Sequence, residues 1–141
     1  MCALAHKPCW TSRAREPHLL ESSDIRLLTE VGFLAAARAD VKRAEAIFGA
    51  LALLRPDRSF SYIGLAMAYL NTHRPEEAVA VLAQGAKVVR AQDQGELQAV
   101  RALALQLAGR TAESLRALQA AGPNRLAKTM LGHSIIEQEE Y

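Results

Sequence analysis

The stretch RAEAIF at residues 43–48 decides the fold, because it returns as EAVAVL at residues 77–82. Ala44 and Ala78 lie 34 positions apart, and each is followed four positions later by a large apolar residue. A period of about 34 residues is typical of a repeated helix–turn–helix unit. Small residues let two helix backbones approach closely, and the large residue fills the space beside them. The chain is therefore predicted to be an all-α stack of helix pairs.

The composition agrees with a single helical domain. Half of the 141 residues are apolar but only 5% are aromatic, which favours helices over sheets. The net charge of +2, with acids and bases interleaved, is too small for a typical nucleic-acid binder. No apolar run reaches the roughly 18–20 residues that span a bilayer, and the first twenty residues lack the apolar core of a signal peptide. We therefore expect a cytosolic protein that neither binds nucleic acid nor inserts into a membrane.

The chain divides into three repeats and two flanking segments. Residues 1–22 are expected to be flexible or loosely docked, and residues 23–123 hold repeats at about 25–57, 59–92 and 94–122. Residues 124–141 are predicted to form a C-terminal capping helix and tail, with binding of a partner as the alternative. The predicted helices share the plan of the repeat, and they span residues 25–38, 41–54, 59–72, 74–89, 94–108 and 111–121.

Local signals set these helix bounds. The run SSD at residues 22–24 offers polar N-cap residues for the first helix. Leu28, Val31 and Ala35 are predicted to share the face of this helix that packs against its partner. Pro56 ends the second helix, and Gly122 before a proline ends the sixth.

The third repeat can be aligned in two ways. Taking Gly109 as the turn glycine puts Ser114 in the place of Ala78, 36 positions on. Taking Ala112 instead keeps the spacing at 34. We prefer the first alignment, because the two extra residues then fall in the polar run at residues 90–94, and loops accept insertions more readily than helix interfaces do.

These positions resemble tetratricopeptide repeats. The family has a small residue, an alanine and a large apolar residue at fixed positions of each unit. In this chain the three positions hold Gly32, Ala44 and Phe48 in the first unit, Ala66, Ala78 and Leu82 in the second, and Ala102, Ser114 and Leu118 in the third. Pro56 matches the closing proline of the first unit, whereas Arg90 replaces it in the second and Arg101 takes a usually apolar place in the third. The resemblance covers about residues 25–121 and implies a right-handed α-solenoid. It implies a fold rather than a function.

A narrower resemblance concerns function. The run AEAIFGALALLRP at residues 44–56, followed by YIGLA at residues 62–66, is similar to the bacterial type III secretion chaperones. This resemblance implies a cytosolic chaperone that holds a needle subunit or a translocator before export. A small co-chaperone, if one is present, would favour the needle subunit as the client.

The first helix of each pair is expected to line the concave side of such a stack. Its inward positions are mainly apolar in the second and third units, so they suit an apolar helix or extended segment better than a charged peptide end. The expected partner-binding residues are Phe33, Ala36, Phe60, Ile63, Met67, Leu70, Asn71, Val100, Leu103 and Leu107. Alternatively, the chain's own termini or a second copy cover them, since a long exposed apolar groove calls for an occupant.

Catalysis, cofactors and metal ions are not expected. The sequence contains no glycine-rich phosphate loop, paired-histidine motif or nucleophile elbow. Cys2, His6, Cys9 and His18 match no zinc spacing, and His73 is expected to be an exposed turn residue. A basic patch at Arg110, Arg116, Arg125 and Lys128 is expected to be solvated surface. The sequence therefore predicts a non-catalytic export chaperone, with a general scaffold that joins two proteins as the alternative.

Overall fold

A computed structural model of the chain describes residues 20–123, which form six α-helices. In chain order they are α1 (Ser22–Ala37), α2 (Val41–Leu54), α3 (Phe60–Asn71), α4 (Pro75–Val88), α5 (Ala91–Leu107) and α6 (Thr111–Ala121). Each helix packs against the next, α1 also packs against α3, and α3 meets α5 less extensively. The helices thus form three stacked pairs, and the predicted all-α repeat fold is confirmed.

The turns inside the three pairs show the register of the repeat. One residue of each turn has a left-handed backbone, and these residues are Ala39 (φ 59°), His73 (φ 58°) and Gly109 (φ 79°). In every turn the amide of the following residue donates to the carbonyl five positions back, at 2.9 Å each time. A left-handed residue with such a hydrogen bond is a common C-terminal cap of an α-helix. Ala39 and His73 are 34 positions apart, and His73 and Gly109 are 36 apart, which confirms the alignment of the third repeat on Gly109. His73 is an exposed turn residue, as predicted.

The repeated small residues are buried in the core. Ala44, Ala78 and Ser114 are all buried, as are the large residues four positions later. Ser114 takes the place of alanine without burying an unsatisfied hydroxyl, because its Oγ donates a hydrogen bond to the Ala102 carbonyl at 2.8 Å. The degenerate third repeat therefore keeps the geometry of the first two.

The insertion before the third repeat is helical, so the prediction of a loop at residues 90–94 is wrong. Helix α5 begins at Ala91, directly after Arg90. This segment contains no proline, whereas Pro56 keeps the corresponding linker open. Asp93 also lies in the first turn of α5, where a carboxylate is favoured by the helix dipole. The extra residues lengthen α5 instead of the linker.

Two smaller predictions at α1 are also corrected. The N-cap is Glu21 rather than a residue of 22–24, and Asp24 serves inside the helix by accepting the Glu21 amide at 3.0 Å. Val31 does not share the partner-facing side of Leu28 and Ala35, since it is 44% exposed. The predictions for residues 1–19 and for the capping helix at 124–141 lie outside the described residues.

Helix α3 contributes to both halves of the core. Ala68 belongs to a cluster built on Phe48 and Leu51, while Ala66 belongs to a second cluster built on helices α4 to α6. Because α3 is covered on two sides, it is apolar over most of its circumference. No helix within residues 20–123 is long and apolar enough to cross a membrane.

Part of the candidate basic patch is neutralised. Arg110 contacts Glu113 through two nitrogens, at 3.1 and 2.6 Å, and reaches Glu76 of the preceding repeat at 3.0 Å. The Arg110 hydrogen bond holds the pKa of the Glu113 carboxyl below its ordinary value. Arg125 and Lys128 of that patch lie outside the described residues.

Candidate partner-binding groove

Helices α1, α3 and α5 together line a central pocket of about 420 Å³. The pocket is lined by Phe33, Ala36, Ala37, Ile63, Met67, Asn71, Glu96 and Val100. Six of these eight residues are among the predicted partner-binding set. The repeat register brings them together, because each comes from the first helix of its pair.

Phe48 of α2 contacts Phe33, one of the residues that line the central pocket. The Phe33 ring meets the Phe48 ring edge-on, with centroids 5.2 Å apart and an interplanar angle of 71°. Phe48 is buried between Gly32 and Gly64, where an added Cβ would lie 2.8 Å and 2.1 Å from its ring carbon Cζ. These two glycines therefore set how deeply Phe48 enters, and Phe48 in turn supports Phe33.

Asn71 fastens one end of the pocket. Its side-chain amide donates to the Ala36 carbonyl at 2.9 Å and so ties the end of α3 to the end of α1. Ala36 and Val100 line the pocket but are only 1% and 6% exposed, so they shape its floor. The open apolar surface comes instead from Phe33, which is 36% exposed, and from the half-buried Ile63 and Met67.

Two further depressions accompany the central pocket, and the three together are called the groove below. One, of about 410 Å³, lies at the ends of α3 and α5 and is lined by Leu70, His73, Pro75 and Leu107. The other, of about 350 Å³, lies toward the starts of α1 and α3 and is lined by Ser22, Ile25, Arg26, Thr29, Glu30, Arg55, Arg58 and Phe60. Of the predicted partner-binding residues only Leu103, which is half-buried, lines none of the three.

Sequence reasoning missed several groove residues for identifiable reasons. Arg55 and Arg58 come from the linker between α2 and α3, which a count along helices does not reach. His73 and Pro75 come from the turn after α3. Glu96 lies on α5 but is not among the predicted contacts, although its polar type within an apolar set was a usable signal.

Ion pairs secure the end of the groove where α3 and α5 begin. Asp93 accepts from Arg58 at 3.2 Å and from Arg90 at 3.3 Å. Its carboxylate also accepts the Ser59 amide at 3.4 Å, and the Ser59 hydroxyl donates to Glu96 at 3.4 Å. On α1, Arg26 pairs with Glu30 at 3.2 Å. The contacts of Arg58 and Ser59 with Asp93 and Glu96 hold the starts of α3 and α5 together beside the central pocket.

The groove is suited to binding, because the side chains that line its central pocket are mainly apolar. Residues 20–123 contain no group of three or more His, Cys, Asp or Glu side chains that would hold a metal ion. Comparison with protein-family models, curated proteins and solved structures finds no match to this chain.

Proposed function

We propose that this protein is a cytosolic type III secretion chaperone that binds an export client, a needle subunit or a translocator, without catalysis. The single observation that carries the proposal is the central pocket, which three helices of three repeats build jointly from mainly apolar side chains. The family resemblance of residues 44–66 supplies the kind of client.

The physical role follows from what the groove buries. An unfolded or unassembled client exposes apolar side chains that drive aggregation. The groove takes such side chains from water, above all into its central pocket, which lowers the concentration of the aggregating species. Binding through apolar contact is reversible, so the client can be handed on to the export machinery.

Co-expression tests this proposal. A needle or translocator protein that is insoluble alone should be recovered in a soluble complex with this protein. Met67→Glu with Leu70→Glu should abolish the complex, because two charges would be placed against the client's apolar surface. Leu53→Glu is the matched control: Leu53 is 87% exposed on α2, outside the groove, and its replacement should leave the complex intact.

Loss of binding must be separated from loss of folding. Met67 and Leu70 also touch the core clusters, so the double variant should be examined by circular dichroism. Ala37→Glu offers a second route, since Ala37 is exposed at the end of α1 and still lines the central pocket. A complex that survives both Ala37→Glu and a folded double variant would refute the proposal. Recovery of folded, independently soluble partners would favour a scaffold instead.

A further inference from the structure

Glu96 distinguishes the central pocket from a purely apolar surface. Among the described residues that line this pocket, it is the only ionisable one, and its neighbours include Met67 and Val100. It projects from the second turn of α5, one turn before Val100. Glu96 is exposed, so its carboxylate is open to a ligand that enters the pocket, and an opposite charge on that ligand would be attracted to it.

The carboxylate of Glu96 is not neutralised within residues 20–123. Its hydrogen-bond partner is the Ser59 hydroxyl, which is uncharged. The two arginines near the starts of α3 and α5, Arg58 and Arg90, both bind Asp93. Of the charges along α1, Arg26 is paired with Glu30. Within the described part of the chain, the negative charge of Glu96 therefore remains for a bound ligand.

We infer that the segment held in the groove carries a lysine or arginine beside the apolar side chain that enters the central pocket, and that Glu96 receives this cation. The inference rests on the proposed function and adds the charge of the client. The aliphatic stem of a lysine or arginine can lie along the apolar floor while its head reaches the carboxylate. Such an ion pair selects among clients more than it adds affinity.

Two labelled synthetic peptides test the inference. Both are amphipathic helices of about 18 residues with the same leucine-rich face, a length of about 27 Å. One carries lysine and the other glutamate at the positions flanking the central leucine. By fluorescence anisotropy at low salt, the lysine peptide should bind the full-length protein about fivefold more tightly than the glutamate peptide. Glu96→Gln should remove this preference, and Glu96→Lys should reverse it.

A matched charge change controls for the overall field of the protein. Glu45→Gln alters the net charge as Glu96→Gln does, but Glu45 lies on α2, outside the groove, so the lysine preference should persist. If Glu45→Gln removes the preference as well, the inference is wrong. If both peptides bind equally and Ala37→Glu weakens both, the inference fails while the proposed function stands. If neither peptide binds, the proposed function fails and the inference with it.

Discussion

At the scale of single residues, Gly64 leaves the least room for a side chain among the described glycines, because the Phe48 ring lies against it. A Cβ on Gly64 would lie 2.1 Å from Cζ of the Phe48 ring, and the ring cannot retreat because Gly32 lies close on its other side. Gly64→Ala is therefore expected to lower the free energy of unfolding by about 1–3 kcal/mol, the usual cost of overfilling a core. Urea denaturation of the folded variant measures this change.

Gly49 provides the control for that substitution. It lies within α2, exposed, and an added Cβ would meet nothing within 4 Å. Gly49→Ala should raise the free energy of unfolding by about 0.5–1 kcal/mol, because alanine loses less backbone entropy on entering a helix. Equal effects of the two glycine substitutions would contradict the proposed role of Gly64.

Tyr69 gives the structure a pH dependence at high pH. Burial, followed by the hydrogen bond to Glu45 at 2.8 Å, raises the pKa of Tyr69 to about 12 from an ordinary value of 10.0. The folded protein thus keeps a proton that the unfolded chain releases, so this contribution to stability is present below pH 10 and is lost as the pH rises toward 12. Tyr69→Phe should remove the highest step of the phenolate titration measured by ultraviolet absorbance. Persistence of that step would show that Tyr69 does not have the raised pKa.

At the scale of the elements, the turns of the three repeats differ in one informative way. The left-handed position is glycine in the third turn but alanine in the first, and an L-residue with a side chain pays roughly 1–2 kcal/mol there. Ala39→Gly should therefore stabilise the protein by about 0.5–1 kcal/mol, after the entropy of glycine in the unfolded chain is subtracted. Gly109→Ala should destabilise it by a similar amount. Thermal denaturation that showed the same sign for both would contradict the equivalence of the two turns.

The bounds of the elements could be predicted wherever a turn signal was present. The predicted ends of α2 and α6 match the structure, because Pro56 and Gly122 stop those helices and the turn residues start them. Where the chain carries no proline or glycine, as at Arg90, the boundary was misplaced. Residues with high helix propensity continue or restart a helix unless a proline or glycine stops it. The length of a repeat does not show whether its extra residues join a helix or a loop.

At the scale of the whole molecule, the repeat register predicted which residues share the groove but not their depth. Equivalent positions in stacked helices necessarily point the same way, so Phe33, Ile63 and Met67 could be assigned to one surface from spacing alone. The burial of Ala36 and Val100 depends on how closely three helices approach, which no single helix pattern encodes. The pairing of Arg110 with Glu76 likewise joins side chains from different repeats, which no single helix pattern shows.

The account depends most on the claim that the groove, and no other apolar surface, contacts the client. A photo-reactive phenylalanine analogue placed at Met67 in the central pocket should crosslink to a co-expressed needle or translocator protein. The same analogue at Leu53, an exposed apolar site on α2, should not. Crosslinks from position 67 alone are the predicted result. Any crosslink from position 53, or the absence of a crosslink from position 67 in a purified complex, would contradict the account.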